Sequence, residues 1–136
     1  GDKKSMLRKK ILELNLNNCS MLPFQPAEAL PYSLAAADIA VVTQGRDASK
    51  MSVPSKTYNF MSVGAPLLCI TGDDSELKRL VNYYKIGKCF KAEQIDEMKN
   101  FVWQLKQNPA YHSELSENTL KASRHFGPEN INKFLY

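Results

Sequence analysis

Hydrophobic and polar positions along this chain follow two periods, one helical and one typical of strands. Apolar residues three and four apart predict helices, whereas short apolar runs rich in β-branched residues predict buried strands. The predicted strands are residues 19–24, 38–43, 66–71 and 87–92. The predicted helices lie within residues 3–14, 27–37, 54–63, 72–85, 95–107 and 109–126, with a short final helix ending at Tyr136. This alternation indicates an α/β fold, a Rossmann-like parallel sheet flanked by helices.

Local signals mark the starts of two helices. Pro54 suits a first helical turn, and Gly64 suits the left-handed stop of the same helix. Asp73 lies three residues before Glu76, and this spacing predicts a capping box with Asp73 as the cap. The chain opens on a helix, whereas a doubly wound unit begins with a strand, so we expect a fragment that lacks its first strands.

Length and composition fit one globular domain over residues 1–136, with 43% apolar and 24% charged residues. No apolar run approaches the roughly 18 residues that a membrane span needs. Cys19, Cys69 and Cys89 lie in apolar segments without metal-ligand spacing. We therefore predict core thiols and a reducing, cytoplasmic environment.

The net charge of +4 is mild, and its densest cluster lies on the amphipathic first helix. The cluster consists of Lys3, Lys4, Arg8, Lys9 and Lys10. We interpret it as a solvated helix face, with peripheral contact to acidic lipid at the inner face of the cytoplasmic membrane as the alternative. Nucleic acid is not an expected partner, because these basic residues are not interleaved with exposed aromatic ones.

The candidate site follows from where ligands bind in open parallel sheets, which is at the carboxyl ends of the strands. Three predicted loops qualify, residues 23–26, 44–53 and 71–74, and the longest, 44–53, runs into the helix that begins at Pro54. Amides at a helix start favour a phosphate, and Ser55 and Lys56 would add a hydroxyl and an ammonium group. The alternative is that Ser55 merely starts the helix and Lys56 points into water.

No catalytic constellation is visible in the sequence. His112 and His125 lie on late helices without a partnered acid or nucleophile, so we expect surface roles for both. Neither a Walker loop nor a dinucleotide-binding glycine motif occurs. No metal ion and no cofactor are expected.

Three stretches in this order resemble a known family: "LPFQPAEALPYSLAAADIAVV", "VPSKTYNFMSVGAPLLCITGDDSELKRLV" and "IGKCF". They are similar to the carboxy-terminal domain of GT-B-fold glycosyltransferases, most closely family 4 members that build bacterial capsule, O-antigen or exopolysaccharide. The resemblance runs from the opening to about Asn108, and residues 109–136 fit the family's crossing helices. It implies a retaining transferase that uses a nucleotide-diphosphate sugar, with a glycan or lipid-linked acceptor bound by a missing amino-terminal domain. The fragment alone should be inactive.

The resemblance also implies site residues. The backbone around Phe24 and Gln25 would contact the base, with Leu30 closing that pocket, while Ser55 and Lys56 would face the diphosphate. The family often has two glutamates eight residues apart. Met51 and Asn59 occupy those positions here. Asn59 can still bind a ribose hydroxyl, but Met51 cannot replace a carboxylate.

A non-catalytic α/β module that binds a nucleotide or a protein is the competing interpretation, supported by the loss of both glutamates. A receiver-like signalling domain does not fit, because no predicted strand ends in an acceptor aspartate. A truncated sheet would also expose strand edges, so we expect the fragment to form a dimer.

Overall fold

A computed structural model of the chain describes residues 3–45 and 52–127. The chain divides into two compact units, one ending at Leu30 and the other beginning at Pro31. The elements are α1 (Lys4–Glu13), α2 (Leu30–Ala35), β1 (Ala40–Thr43), α3 (Lys56–Ser62), β2 (Leu67–Ile70), α4 (Glu76–Tyr84), β3 (Gly87–Phe90), α5 (Ile95–Gln107), α6 (Pro109–Ser123) and a 3₁₀ turn (Arg124–Phe126). Within the described ranges, none of the helices is both long and apolar enough to cross a bilayer. The helix predicted to end at Tyr136 lies outside those ranges.

The first unit contains α1 and an irregular segment where a strand was predicted. Residues 19–26 have no regular structure, so the prediction of a strand over residues 19–24 is wrong. A strand exists only through a ladder of hydrogen bonds to a neighbour, and Pro23 and Pro26 have no N–H group to contribute. Cys19 in this segment is exposed rather than a core residue, which corrects a second prediction.

The second unit is built on a parallel sheet with the strand order β1-β2-β3. Ala40 pairs with Leu67, and Leu67 in turn pairs with Gly87. The predicted α/β fold with a parallel sheet flanked by helices is therefore confirmed. The predicted strands 38–43, 66–71 and 87–92 are present. The first begins later than predicted, the last ends earlier, and the middle one is shorter at both ends.

Helices cover both faces of the central strand β2. On one face, Leu67 and Cys69 are buried among side chains of α3, α4 and α6. On the other face, Leu68 packs with Phe101 and Leu105 of α5. Full burial of an aliphatic or aromatic side chain of this size contributes roughly 1.5–3 kcal/mol. Burial on both faces explains why β2 is a continuous apolar run rather than an alternating one.

Helices α2 and α4 begin later in the chain than the sequence predicts. Pro31 lies in the first turn of α2, where its missing N–H costs nothing, so the helix begins at Leu30 rather than at residue 27. The cap of α4 is Ser75, whose hydroxyl accepts a hydrogen bond from the Lys78 amide at 3.0 Å. The prediction that Asp73 caps this helix is wrong, because its carboxylate instead pairs with lysine ammonium groups.

The spacing between β2 and β3 depends on a glycine. A Cβ atom at Gly87 would collide with the backbone carbonyl of Leu67, its register partner on the neighbouring strand. A backbone atom cannot move aside as a flexible side chain can. The close approach of the two strands therefore requires a residue without a side chain at this position.

We predict that Gly87→Ala destabilises the fold by about 3 kcal/mol or more, because the added methyl group must push β3 away from β2. Gly45→Ala is the matched control, since an added Cβ at Gly45 would meet no atom within 4 Å. Urea unfolding followed by circular dichroism measures both variants. Equal stability of the two would contradict the close strand approach.

Candidate functional site

Three polar side chains follow the carboxyl ends of the three strands. Gln44, Thr71 and Lys91 come directly after or next to the last residues of β1, β2 and β3. Backbone hydrogen bonds continue the ladder here, from the Gln44 amide to Ile70 O at 2.9 Å and from the Thr71 amide to Phe90 O at 3.0 Å. Because the strands are parallel, these residues share one edge of the sheet, which we call the carboxyl edge. Open parallel sheets bind ligands at this edge.

The Gln44 side chain forms hydrogen bonds with two residues that are distant from it in sequence, Ser52 and Thr71. Its amide nitrogen donates to Ser52 O at 2.6 Å. Its amide oxygen accepts a bond of 3.4 Å from the hydroxyl of Thr71, which is buried. The loop that leaves β1 therefore returns to the sheet at Ser52, three residues before Ser55. Residues 46–51 of this loop, including Met51, lie outside the described residues.

The start of α3 carries the predicted phosphate-binding residues. Ser55 precedes the helix, and its side chain makes no capping hydrogen bond. Lys56 is the first helical residue, is exposed and has no salt bridge to a described carboxylate. Asn59 is also exposed, one turn along from Ser55, so the two side chains share a face of α3. Among the described residues, the Ser55 hydroxyl caps no helix and the Lys56 ammonium group pairs with no carboxylate.

The Cys69 thiol on the central strand has a shifted pKa. Cys69 of β2 and Cys89 of β3 are register partners. Hydrogen bonding to Cys89 and burial raise the pKa of the Cys69 thiol, whereas the positive charge of Lys56 acts to lower it. Cys69 is buried, as predicted for a core thiol, and Cys89 is half-buried.

Asp73 forms the centre of an ion-pair network beside Thr71. One carboxylate oxygen lies 2.8 Å from Lys78 Nζ, and the other lies 2.7 Å from Lys91 Nζ. Hydrogen bonds from these two lysines lower the pKa of Asp73 from 3.8 to about 2. The network links the loops that follow β2 and β3. It keeps Asp73 ionised down to about pH 2.

A cavity of about 330 Å³ opens at the carboxyl edge. Its described lining residues come from the ends of all three strands and comprise Gln44, Ile70, Thr71, Gly72, Asp73, Lys91, Ala92 and Glu93. Ligand pockets in proteins usually fall between about 300 and 1,000 Å³. The cavity is therefore large enough for a small polar group.

A larger cavity of about 670 Å³ lies at the opposite end of the sheet. It contains Asp38 and Ile39, which precede β1, and His112 of α6. His112 Nε2 lies 2.8 Å from the carbonyl oxygen of Asp38, a contact between α6 and the segment that leads into β1. We place the candidate site at the carboxyl edge, because this second cavity offers few charged groups and its histidine is engaged with the backbone.

In the first unit, the structure places Phe24, Gln25 and Leu30 around one cavity. Phe24 is fully exposed, and the Gln25 amide donates to Pro23 O at 3.1 Å. Leu30 is partly exposed at the first position of α2. These three predicted residues are thus neighbours, and their cavity of about 880 Å³ also contains Lys3 and Lys4 of the first-helix segment.

The sequence indicated the loops over residues 44–53 and 71–74 at this edge, but not which of their side chains line the cavity. Gln44 and Lys91 carry no motif, and Asp73 was assigned to a helix cap. Their only signal was position, immediately after buried strands. His125 is exposed, as predicted, and stacks on Tyr84 with ring centroids 5.6 Å apart. His112 is half-buried, with its Nε2 on the Asp38 carbonyl, so the predicted surface role does not describe it. Among the described residues, no three His, Cys, Asp or Glu side chains are grouped so that they could hold a metal ion.

Comparison with known proteins gives two matches. The family described as glycosyl transferases group 1 matches residues 1–122. A protein named as the putative colanic acid biosynthesis glycosyl transferase WcaI, from Escherichia coli strain K12, is 28% identical over 124 residues. The match covers 88% of this chain and 30% of that relative, so the chain spans about a third of the relative's length.

We predict that the Asp73 carboxylate titrates near pH 2, as measured by ¹³C NMR of its side chain. Because this pKa lies below the unfolded value of about 3.9, the carboxylate stabilises the fold above that pH. Its contribution is lost as the pH falls through about 2. Lys78→Met should raise the midpoint, whereas Lys99→Met on α5 should leave it unchanged. A wild-type midpoint near 3.9 would contradict the ion-pair network.

Proposed function

Because the chain belongs to the group 1 glycosyl transferases, we propose that it is the donor-binding part of a retaining glycosyltransferase. The complete protein would transfer a sugar from a nucleotide-diphosphate sugar to a glycan or lipid-linked acceptor. The relative's name, a putative colanic acid biosynthesis glycosyl transferase, supports a polysaccharide product. An acceptor-binding domain elsewhere in the protein would supply the second substrate.

The observation that carries this proposal is the start of α3 beside the carboxyl edge. The Ser55 hydroxyl caps no helix, and Lys56 makes no described salt bridge. The Gln44–Ser52 hydrogen bond joins this segment to the edge of the sheet. A hydroxyl and an ammonium group together suit a diphosphate, which accepts charge-assisted hydrogen bonds from several directions.

In this proposal, the other predicted residues would each contact a different part of the nucleotide. The segment around Phe24 and Gln25 would contact the base, Leu30 would close that pocket, and Asn59 would bind a ribose hydroxyl. Support comes from the exposure of Phe24 and Asn59 and from the shared cavity of Phe24, Gln25 and Leu30.

Chemistry at such a site depends on stabilising the leaving diphosphate. Negative charge builds on the diphosphate as the sugar–phosphate bond breaks, and fixed cationic donors lower the energy of that state. Each 1.36 kcal/mol of such stabilisation is about tenfold in rate. Lys56 and the amides near Ser55 would provide it without a protein nucleophile, a cofactor or a metal ion.

Location and assembly follow as further parts of the proposal. The donor is a cytoplasmic metabolite class, so we place the protein in the cytoplasm, at the inner membrane face when the acceptor is lipid-linked. The exposed basic residues of α1 support peripheral contact with acidic lipid. Within residues 3–45 and 52–127, β1 pairs with β2 alone, and its open outer edge supports a dimer of this fragment.

We predict that one of UDP, GDP and ADP shifts the amide NMR signals of Ser55, Lys56 and Asn59 together. Lys56→Ala should then weaken binding of that nucleotide about tenfold, the loss expected for one charge-assisted hydrogen bond. The control is Lys99→Ala, which removes the same charge from α5, where Lys99 pairs with Asp96.

Equal weakening by the two variants would mean that Lys56 acts only through net charge. A well-dispersed spectrum that none of the three nucleotides perturbs would overturn nucleotide binding by this chain. Binding by the chain without any transfer by the complete protein would favour the non-catalytic nucleotide-binding module.

A further inference from the structure

We propose that Cys69 and Cys89 form a site of reversible oxidation, at which a peroxide converts the two thiols into a disulfide between β2 and β3. Neither thiol takes part in the proposed binding of a nucleotide, so this inference goes beyond the proposed function and does not depend on it. The observations that carry it are the register of the two strands, the packing of the two thiols and the difference between their environments.

The register of the sheet places the two cysteines side by side. Cys69 of β2 is the register partner of Cys89 of β3. Neighbouring strands of a sheet lie about 4.8 Å apart. The Cα atoms that flank a disulfide are usually about 4.4–6.8 Å apart, so this pair lies within bonding range without any change of register.

The two side chains also lie on the same face of the sheet. Cys69 is fully buried in the core cluster that the sheet forms with α3, α4 and α6, and Cys89 packs against the same cluster. A hydrogen bond joins the two thiols. The two sulfur atoms are therefore already in contact when both cysteines are reduced.

The environments of the two thiols assign them different roles. Hydrogen bonding to Cys89 and burial raise the pKa of the Cys69 thiol. The hydrogen bond from Cys69 lowers the pKa of Cys89, and the positive charge of Lys78 acts in the same direction. Cys89 is also half-buried, which leaves it accessible to a small oxidant. Because the thiolate is the reactive form of cysteine, Cys89 is the nucleophile and Cys69 is the resolving thiol.

The oxidation takes two steps. The Cys89 thiolate attacks one oxygen of hydrogen peroxide, an S–O bond forms, the O–O bond breaks, and the released hydroxide takes up a proton to leave as water. The Cys69 sulfur then attacks the sulfur of the resulting sulfenic acid. An S–S bond forms, the S–O bond breaks, and the departing hydroxide leaves as water with the proton of the Cys69 thiol. Two thiols and one peroxide thus give one disulfide and two water molecules.

Reduction of the disulfide needs only a small thiol. Attack by its thiolate gives a mixed disulfide, and a second thiol completes the exchange and restores both cysteines. In a reducing compartment the pair would be a dithiol most of the time, because disulfides there are usually transient. While it lasts, the bond would fasten β3 to β2, the pairing that aligns the carboxyl edge.

The test treats the folded chain with hydrogen peroxide and maps its peptides without reduction. A Cys19→Ser background removes the exposed thiol that would join two copies of the chain. Trypsin cuts after Lys56, Lys78, Lys88 and Lys91, so Cys69 and Cys89 fall on separate peptides, residues 57–78 and 89–91. We expect these two peptides to be joined after peroxide treatment and separated again by dithiothreitol.

Two matched variants in the same background test the order of attack. In Cys69→Ser, the sulfenic acid at Cys89 has no resolving thiol, so it should accumulate and react with dimedone. In Cys89→Ser, the buried Cys69 thiol lacks its neighbour. Its dimedone labelling should be about tenfold lower or less, since a neutral thiol is a poor nucleophile. Circular dichroism checks that each variant is folded.

Three results would overturn the inference. A joined peptide that forms only in urea, and not in the folded chain, would show that the register pair does not react. Accumulation of sulfinic acid at Cys89 without a joined peptide would show that Cys69 does not resolve the first product. Equal dimedone labelling of the two variants would contradict the assignment of Cys89 as the nucleophile. None of these results bears on nucleotide binding, so the proposed function is tested separately.

Discussion

Parallel pairing of β2 with both of its neighbours is the constraint on which the candidate site depends. Side chains alternate between the two faces of a sheet. A register shift of one position would therefore move every side chain of these four-residue strands to the other face. Gly87 allows β3 to approach the Leu67 backbone, and this approach fixes the register on one side. The ends of the strands, and therefore Gln44, Thr71 and Lys91, are aligned as a result.

The aligned ends are linked by side chains as well as by the last backbone hydrogen bonds of the ladder. Gln44 bonds to Thr71 and to Ser52, while Asp73 bonds to Lys91. Buried, paired polar groups resist displacement because breaking one bond leaves its partner unsatisfied, at a cost of about 1–3 kcal/mol. This argument applies most strongly to buried Thr71 and less to the exposed Asp73 pairs, which solvent screens.

Much of the fold was predictable because strands that are buried on both faces consist of nearly uninterrupted apolar residues. Residues 66–70 are apolar without interruption, as a central strand requires. Residues 19–24 have a similar apolar content, yet they form no strand, because pairing depends on a neighbouring strand and not on composition. Asp73 illustrates the same limit: its spacing to Glu76 fits a capping box, but Ser75 lies directly before α4 and takes that role.

The candidate site was predictable only where its signals are local. Ser55 and Lys56 stand beside a proline at a helix start, a pattern that left phosphate binding and a plain helix start both open until the family resemblance favoured the first. The bond between Gln44 and Thr71 joins residues 27 positions apart, so it exists only once the register of β1 and β2 is set. Lys78 and Lys91 likewise meet at Asp73 through the fold of two separate loops.

The central proposal is that the start of α3, beside the carboxyl edge, binds the diphosphate of a nucleotide. Intermolecular nuclear Overhauser effects from the ribose protons of a bound nucleotide test this proposal most directly. Our account predicts contacts from those protons to the amides of Ser55 and Asn59. Contacts instead to Ala37 and Ile39, in the cavity at the opposite end of the sheet, would contradict it.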